Sequence, residues 1–151
     1  MPSFWALQIG VVLSGLICLA VPATSQLAVI TNPQSPLQDL RLEELRFLYM
    51  GQRLSTEAGD VSLAEFAPLR ERFYGSVLSM RGDQVDRHWI GVVFRGGTVN
   101  PPVRFDTSDD VRAFVLAVPG AIAFLPMGEV GSLKVLRIDG LLPSDPGYPI
   151  P

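Results

Sequence analysis

Apolar residues recur along this chain with two different periods, and the changes of period mark its elements. Leu27-Ala28-Val29-Ile30 is an unbroken apolar run stopped by Thr31-Asn32-Pro33, which predicts a short buried strand and a turn. A loop punctuated by Pro33 and Pro36 follows, with Asp39 as a helix N-cap. Leu45, Leu48 and Tyr49 then share one face of a helix predicted over 40–50. Glu43 and Glu44 stand near its positive end, and Gly51 is placed to close it. Gln52 to Gly59 is polar and reads as a surface loop.

The stretch Asp60–Met80 combines both periods. Val61, Leu63 and Phe66 suit a short strand, and Pro68 sits where a helix accepts proline, in its first turn. From there Leu69, Phe73 and Val77 recur at i, i+4 and i+8, which predicts a helix over 68–80. Arg81-Gly82-Asp83 interrupts the pattern. Asp83 is expected to cap a further helix, with Val85, Trp89 and Ile90 facing inward, that gives out near Gly91. Thr98 to Arg104 contains Pro101-Pro102 and reads as a loop. Thr107 or Ser108 caps a helix over 108–118 with Val111, Phe114, Val115 and Val118 on its apolar face, ended by Pro119-Gly120. Ala121–Leu125 and Leu133–Ile138 follow as buried strands, and residues 141–151, LLPSDPGYPIP, read as a loosely held proline-rich tail. Strands alternating with helices indicate α/β layers with a mostly buried sheet.

Composition changes this picture at one end. Phe4 to Val21 has no charged residue and is followed by Pro22-Ala23-Thr24-Ser25. Residues 1–25 are therefore expected to be an export signal cleaved after Ala23 or Ser25, with an uncleaved membrane anchor as the alternative. The folded domain is expected over 26–140, and the location is periplasmic or otherwise exported. Cys18 is the one cysteine and lies inside the predicted signal, preceded by Gly15-Leu16-Ile17 rather than by a lipid-attachment pattern. Its loss would leave neither a disulfide framework nor a thiolate nucleophile. A net charge of −3 disfavours nucleic acid as a partner.

The remaining candidates for chemistry are isolated. His88 is the only histidine, so a metal or acid–base role lacks partners. Adjacent Asp109 and Asp110 point apart on a helix and serve its dipole. Arg70 and Arg72, at i and i+2, do not share a face. Gly96-Gly97 reads as a turn, and Arg81-Gly82-Asp83 as a helix break rather than an adhesion signal. These residues support neither an enzyme nor a cofactor.

In their order and spacing, LRLEELRFLYMG (40–51), PLRERFYGSVLSM (68–80), HWIGVVFRGG (88–97) and VPGAIAF (118–124) resemble the periplasmic phosphate-binding proteins of ABC transporters, most closely their short signal-bearing relatives. The resemblance covers most of residues 27–140 and implies an α/β fold equivalent to one lobe of a two-lobed clamshell, a mixed sheet flanked by helices. In that family a Ser-Gly-Thr loop at a helix start helps to hold phosphate, and it corresponds here to Phe66-Ala67-Pro68, which has no hydroxyl. What the resemblance leaves for an oxyanion is Ala67, the N–H groups of Leu69, Arg70 and Glu71, and the Arg70 side chain, with Glu65 opposing. An ABC permease or another periplasmic protein is the implied partner. Two readings follow: a solute-binding module holding phosphate or another oxyanion, and a ligand-free interaction protein that keeps the lobe without the site.

Overall fold

The computed structural model describes residues 26–151, so the predicted export segment and Cys18 lie outside the described residues. Five strands form the main sheet in the order β4-β3-β5-β1-β6: β1 (Leu27–Thr31), β3 (Ser62–Phe66), β4 (Val103–Phe105), β5 (Ala121–Pro126) and β6 (Lys134–Val135). β3 runs parallel to β4 and β5, and β1 runs antiparallel to β5 and β6. A second ribbon pairs β2 (Asp39–Leu40) with β7 (Arg137–Ile138) in parallel. All of β1 and residues 121–125 of β5 are buried, as expected where helices cover both faces.

The helices are α1 (Leu42–Tyr49), α2 (Arg70–Leu78), α3 (Gly82–Phe94) and α4 (Ser108–Ala117). α1 and α2 pack on one face, where Phe73 stacks on Phe124 with ring centroids 3.8 Å apart and Tyr49 meets Phe73 edge-on at 4.9 Å. α4 covers the other. Arg104 points toward α3, so its strand neighbour Phe105 points away, and there its ring lies 5.3 Å from Phe114 of α4.

Several local expectations give way to tertiary contacts. Asp39 does not cap α1; it lies in β2, and the N-cap is Arg41. The carboxylates that accept from the start of α1 belong to Glu44, from Arg41 N–H at 2.8 Å, and to Asp139, from Leu42 N–H at 3.0 Å. Asp83 likewise lies one turn position inside α3 and pairs with Arg81 and Arg87, while Arg81 is the N-cap. α3 continues past Gly91 to Phe94, and Ile90 faces solvent rather than inward. Part of the predicted 98–104 loop is strand β4, whose three residues are too few to show a period. Leu133–Ile138 is not one strand: Leu136 separates β6 from β7, which belong to different sheets.

The proline-rich end is held more firmly than its composition suggested. It forms no helix or strand, yet Ile150 is fully buried, Tyr148 packs against the core, and Arg72 Nε donates to the Pro151 carbonyl at 2.9 Å. Ile150→Ala is therefore expected to cost about 2–5 kcal/mol, read from denaturant unfolding; a loose tail would give no change.

Candidate functional site

Glu65 and Arg104 are in-register partners on β3 and β4, so both side chains project toward α2 and α3. Glu65 is buried, and its carboxylate accepts from Arg70 Nε at 3.2 Å, from Arg104 Nε at 2.5 Å and from the Tyr74 hydroxyl. Arg70 is the first residue of α2, and only 12% of its side chain is exposed. Its remaining donors reach Asp86 at 2.8 Å and the Gly82 carbonyl at 3.4 Å. Its guanidinium also lies 5.3 Å from the centre of the Tyr74 ring. Arg104 reaches Asp86 at 3.1 Å, and Glu71 accepts from Gly82 N–H. Two guanidiniums thus face three carboxylates, from Glu65, Glu71 and Asp86.

This network accounts for Gly82. A Cβ there would lie 2.0 Å from Arg70 Nη1 and 2.3 Å from Glu71 Oε1. The glycine of the Arg81-Gly82-Asp83 break is what lets the first turn of α2 lie against the first turn of α3. No periodicity could disclose this, because it depends on two helix starts meeting.

The environment sets protonation. Burial, and next the Glu65 charge, hold the Tyr49 and Tyr74 phenols well above the ordinary 10.0. The hydrogen bond to Glu65 raises the pKa of Arg104. Burial also raises that of Tyr148.

The strand–turn–helix expected around Pro68 is present: β3 leads through a 3₁₀ turn, Ala67–Leu69, into α2. Neither helix start has a side-chain cap. Ala67, Leu69, Arg70 and Glu71 therefore stand together at one helix start, but the Arg70 and Glu71 side chains turn to α3. Two hollows lie elsewhere. One of about 570 Å³ sits at the amino edge of β3 and β4, between Asp60-Val61-Ser62 and the Thr98–Pro101 loop. The other, about 480 Å³, runs between α3 and Pro101-Pro102, with Glu65, Asp86 and Arg104 at one end. No residue of 67–71 lines either.

The other candidates are structural. His88 Nε2 lies 2.8 Å from the Met50 carbonyl and Trp89 Nε1 donates to the Tyr49 carbonyl at 3.1 Å, so consecutive α3 side chains close the carboxyl end of α1. Thr107 caps α4, and Asp109 pairs with Arg112. Among the described residues no group of three His, Cys, Asp or Glu could hold a metal, and no helix is long and apolar enough to cross a membrane.

No protein family profile matches the sequence, and neither does any curated protein. Solved structures do match in fold. An ABC-type phosphate transport receptor from Vibrio cholerae is 17% identical with a TM-score of 0.53, over 79% of this chain and 48% of its own. A putative phosphate ABC transporter substrate-binding protein from Clostridium perfringens, solved with bound phosphate, is 21% identical with a TM-score of 0.58, over 77% and 46%. PstS from Borrelia burgdorferi is 12% identical with a TM-score of 0.59, over 83% and 53%. The chain spans about half the length of these structures, and its architecture is that of a single lobe of the periplasmic-binding-protein fold, as the sequence resemblance implied.

Removing the Glu65 side chain leaves Arg70 charged and largely buried. Glu65→Ala is expected to cost about 3–5 kcal/mol, and Arg104→Ala less, since Arg104 is half exposed; denaturant midpoints check both. All three tyrosines have raised pKa values, so the folded state favours their neutral form. The stability this gives is complete below pH 10.0 and is lost as pH climbs beyond it. Tyrosinate absorbance is expected to appear only together with loss of the folded circular dichroism signal.

Proposed function

We propose that this chain is an exported accessory protein that uses one lobe of the phosphate-binding fold as a scaffold for protein contacts and holds no oxyanion of its own. The observation that carries this reading is the closure of Arg70 on Glu65 and Asp86, at 3.2 and 2.8 Å. For phosphate to use that guanidinium it must displace a buried carboxylate, or add its charge beside three existing ones. A ligand held on one lobe also stays half exposed, where water weakens each charge contact. Export rests on the apolar segment Phe4–Val21, and no catalytic constellation argues for an enzyme.

A second reading keeps the ancestral chemistry. The absence of any side-chain cap at Ala67–Arg70 favours an external acceptor there, and the Clostridium neighbour carries phosphate. In this reading Ala67, Leu69 and Glu71 present backbone N–H groups to an oxyanion while the Arg70 N–H donates to the Ala67 carbonyl, and the chain serves an ABC permease.

Titration of the purified protein with inorganic phosphate, followed by calorimetry, separates the two. The accessory reading expects no saturable heat up to about 1 mM phosphate, the level at which binding is worth only about 4 kcal/mol. Saturable heat overturns it, whether or not that heat survives in Arg70→Ala.

A further inference from the structure

The larger hollow, about 570 Å³, is bounded by Arg53 of the loop after α1, by Asp60 at the entry to β3 and by Asn100 of the loop before β4. Its volume falls within the ~300–1,000 Å³ of small-molecule sites. Leu48 and Leu63, both buried, and Phe114 of α4 contribute apolar lining. Arg53 and Asp60 are the two charged residues that line it; Glu57, between them in sequence, does not. Among the described residues neither Arg53 nor Asp60 forms an ion pair, with the other or with any third group. One unpaired guanidinium and one unpaired carboxylate thus stand at the same partly apolar hollow.

Both charges sit on anchored backbone. Gln52 N–H donates to the Phe47 carbonyl at 2.9 Å, closing α1 one residue before Arg53. At Gly120 (φ 80°) a Cβ would lie 2.6 Å from the Asp60 carbonyl oxygen, and Ser62 N–H donates to the Gly120 carbonyl at 3.2 Å. The turn after α4 therefore packs directly against the entry to β3.

We infer that this hollow binds a small zwitterion with an apolar body, a free apolar amino acid or a short apolar peptide. Its carboxylate meets Arg53, its ammonium meets Asp60, and its side chain lies against Leu48, Leu63 and Phe114. A simple anion or cation would face one like charge here, which opposes it. A purely apolar ligand would gain nothing from either charge. A zwitterion answers both. The Ser55 hydroxyl and the Asn100 amide, also in the lining, can complete its hydrogen bonds. Arg53 and Asp60 are exposed, so water weakens each contact and a dissociation constant of about 0.1–1 mM is expected. The hollow lies at the amino end of β3, opposite the start of α2, so the inference goes beyond the reading above and does not depend on it.

Calorimetric titration of the purified protein with L-leucine and with L-leucyl-L-leucine tests this. Saturable heat with one or both is expected, and the tighter of the two tells amino acid from peptide. Compared with that ligand, its amide, which lacks the carboxylate, and its N-acetyl form, which lacks the ammonium, are each expected to bind about 10-fold or more weakly. Arg53→Ala is expected to abolish the preference over the amide and keep that over the N-acetyl form; Asp60→Asn is expected to do the reverse. Both side chains are exposed, so neither substitution threatens the fold. The inference is overturned by the absence of saturable heat with either ligand up to about 10 mM. It is equally overturned if the amide or the N-acetyl form binds as well as the parent, or if the preferences survive both substitutions. None of these outcomes bears on phosphate, whose heat decides the accessory reading separately.

Discussion

A carboxylate buried beneath two helix starts is the constraint on which this structure turns. Glu65 cannot be charged and buried without donors, and its three donors come from two elements: Arg70 and Tyr74 from α2, and Arg104 from β4. Asp86 of α3 completes the set by engaging both arginines. Such a cluster adds less net stability than its many contacts suggest, because desolvation offsets the attraction. What it enforces is geometry. If any one element shifts, a charge is left in the interior without a partner.

The same cluster takes up the Arg70 side chain at the start of the helix after β3. In α/β folds this is a natural position for an anion. Here Glu65, the penultimate residue of β3, accepts from the Arg70 side chain, which is turned inward. The fold is shared with an ABC-type phosphate transport receptor and a putative phosphate ABC transporter substrate-binding protein.

α3 is fixed from its other side by different means. His88 and Trp89 close the end of α1, and Val85 and Trp89 are buried in the core. With one side of the helix fixed, Ile90, Val93 and Phe94 are left to face outward. The solved structures of like fold are about twice as long. In this chain the described residues leave the stripe open.

Much of the architecture could be read from the residues themselves. The unbroken run Leu27–Ile30, the stripe Leu69, Phe73, Val77 and the cap at Thr107 each encode their element locally, since the period and the capping hydroxyl lie within a few residues. The α/β class follows from their alternation. The candidate site was legible only in part. Arg70 and Glu65 could be singled out near the helix start, and Tyr74 lies one turn beyond Arg70 on the same helix, but Arg104 and Asp86 lie on other elements, and nothing in their local sequence gives the register that joins them. Ile90 differs for a local reason: one residue past the buried Trp89, it stands off the stripe that Val85 and Trp89 share and faces solvent. Local periodicity settles which segments fold and into what. Burial, charge pairing and exposure depend on contacts between residues far apart in the chain, and these were decided only when the helices settled on the sheet.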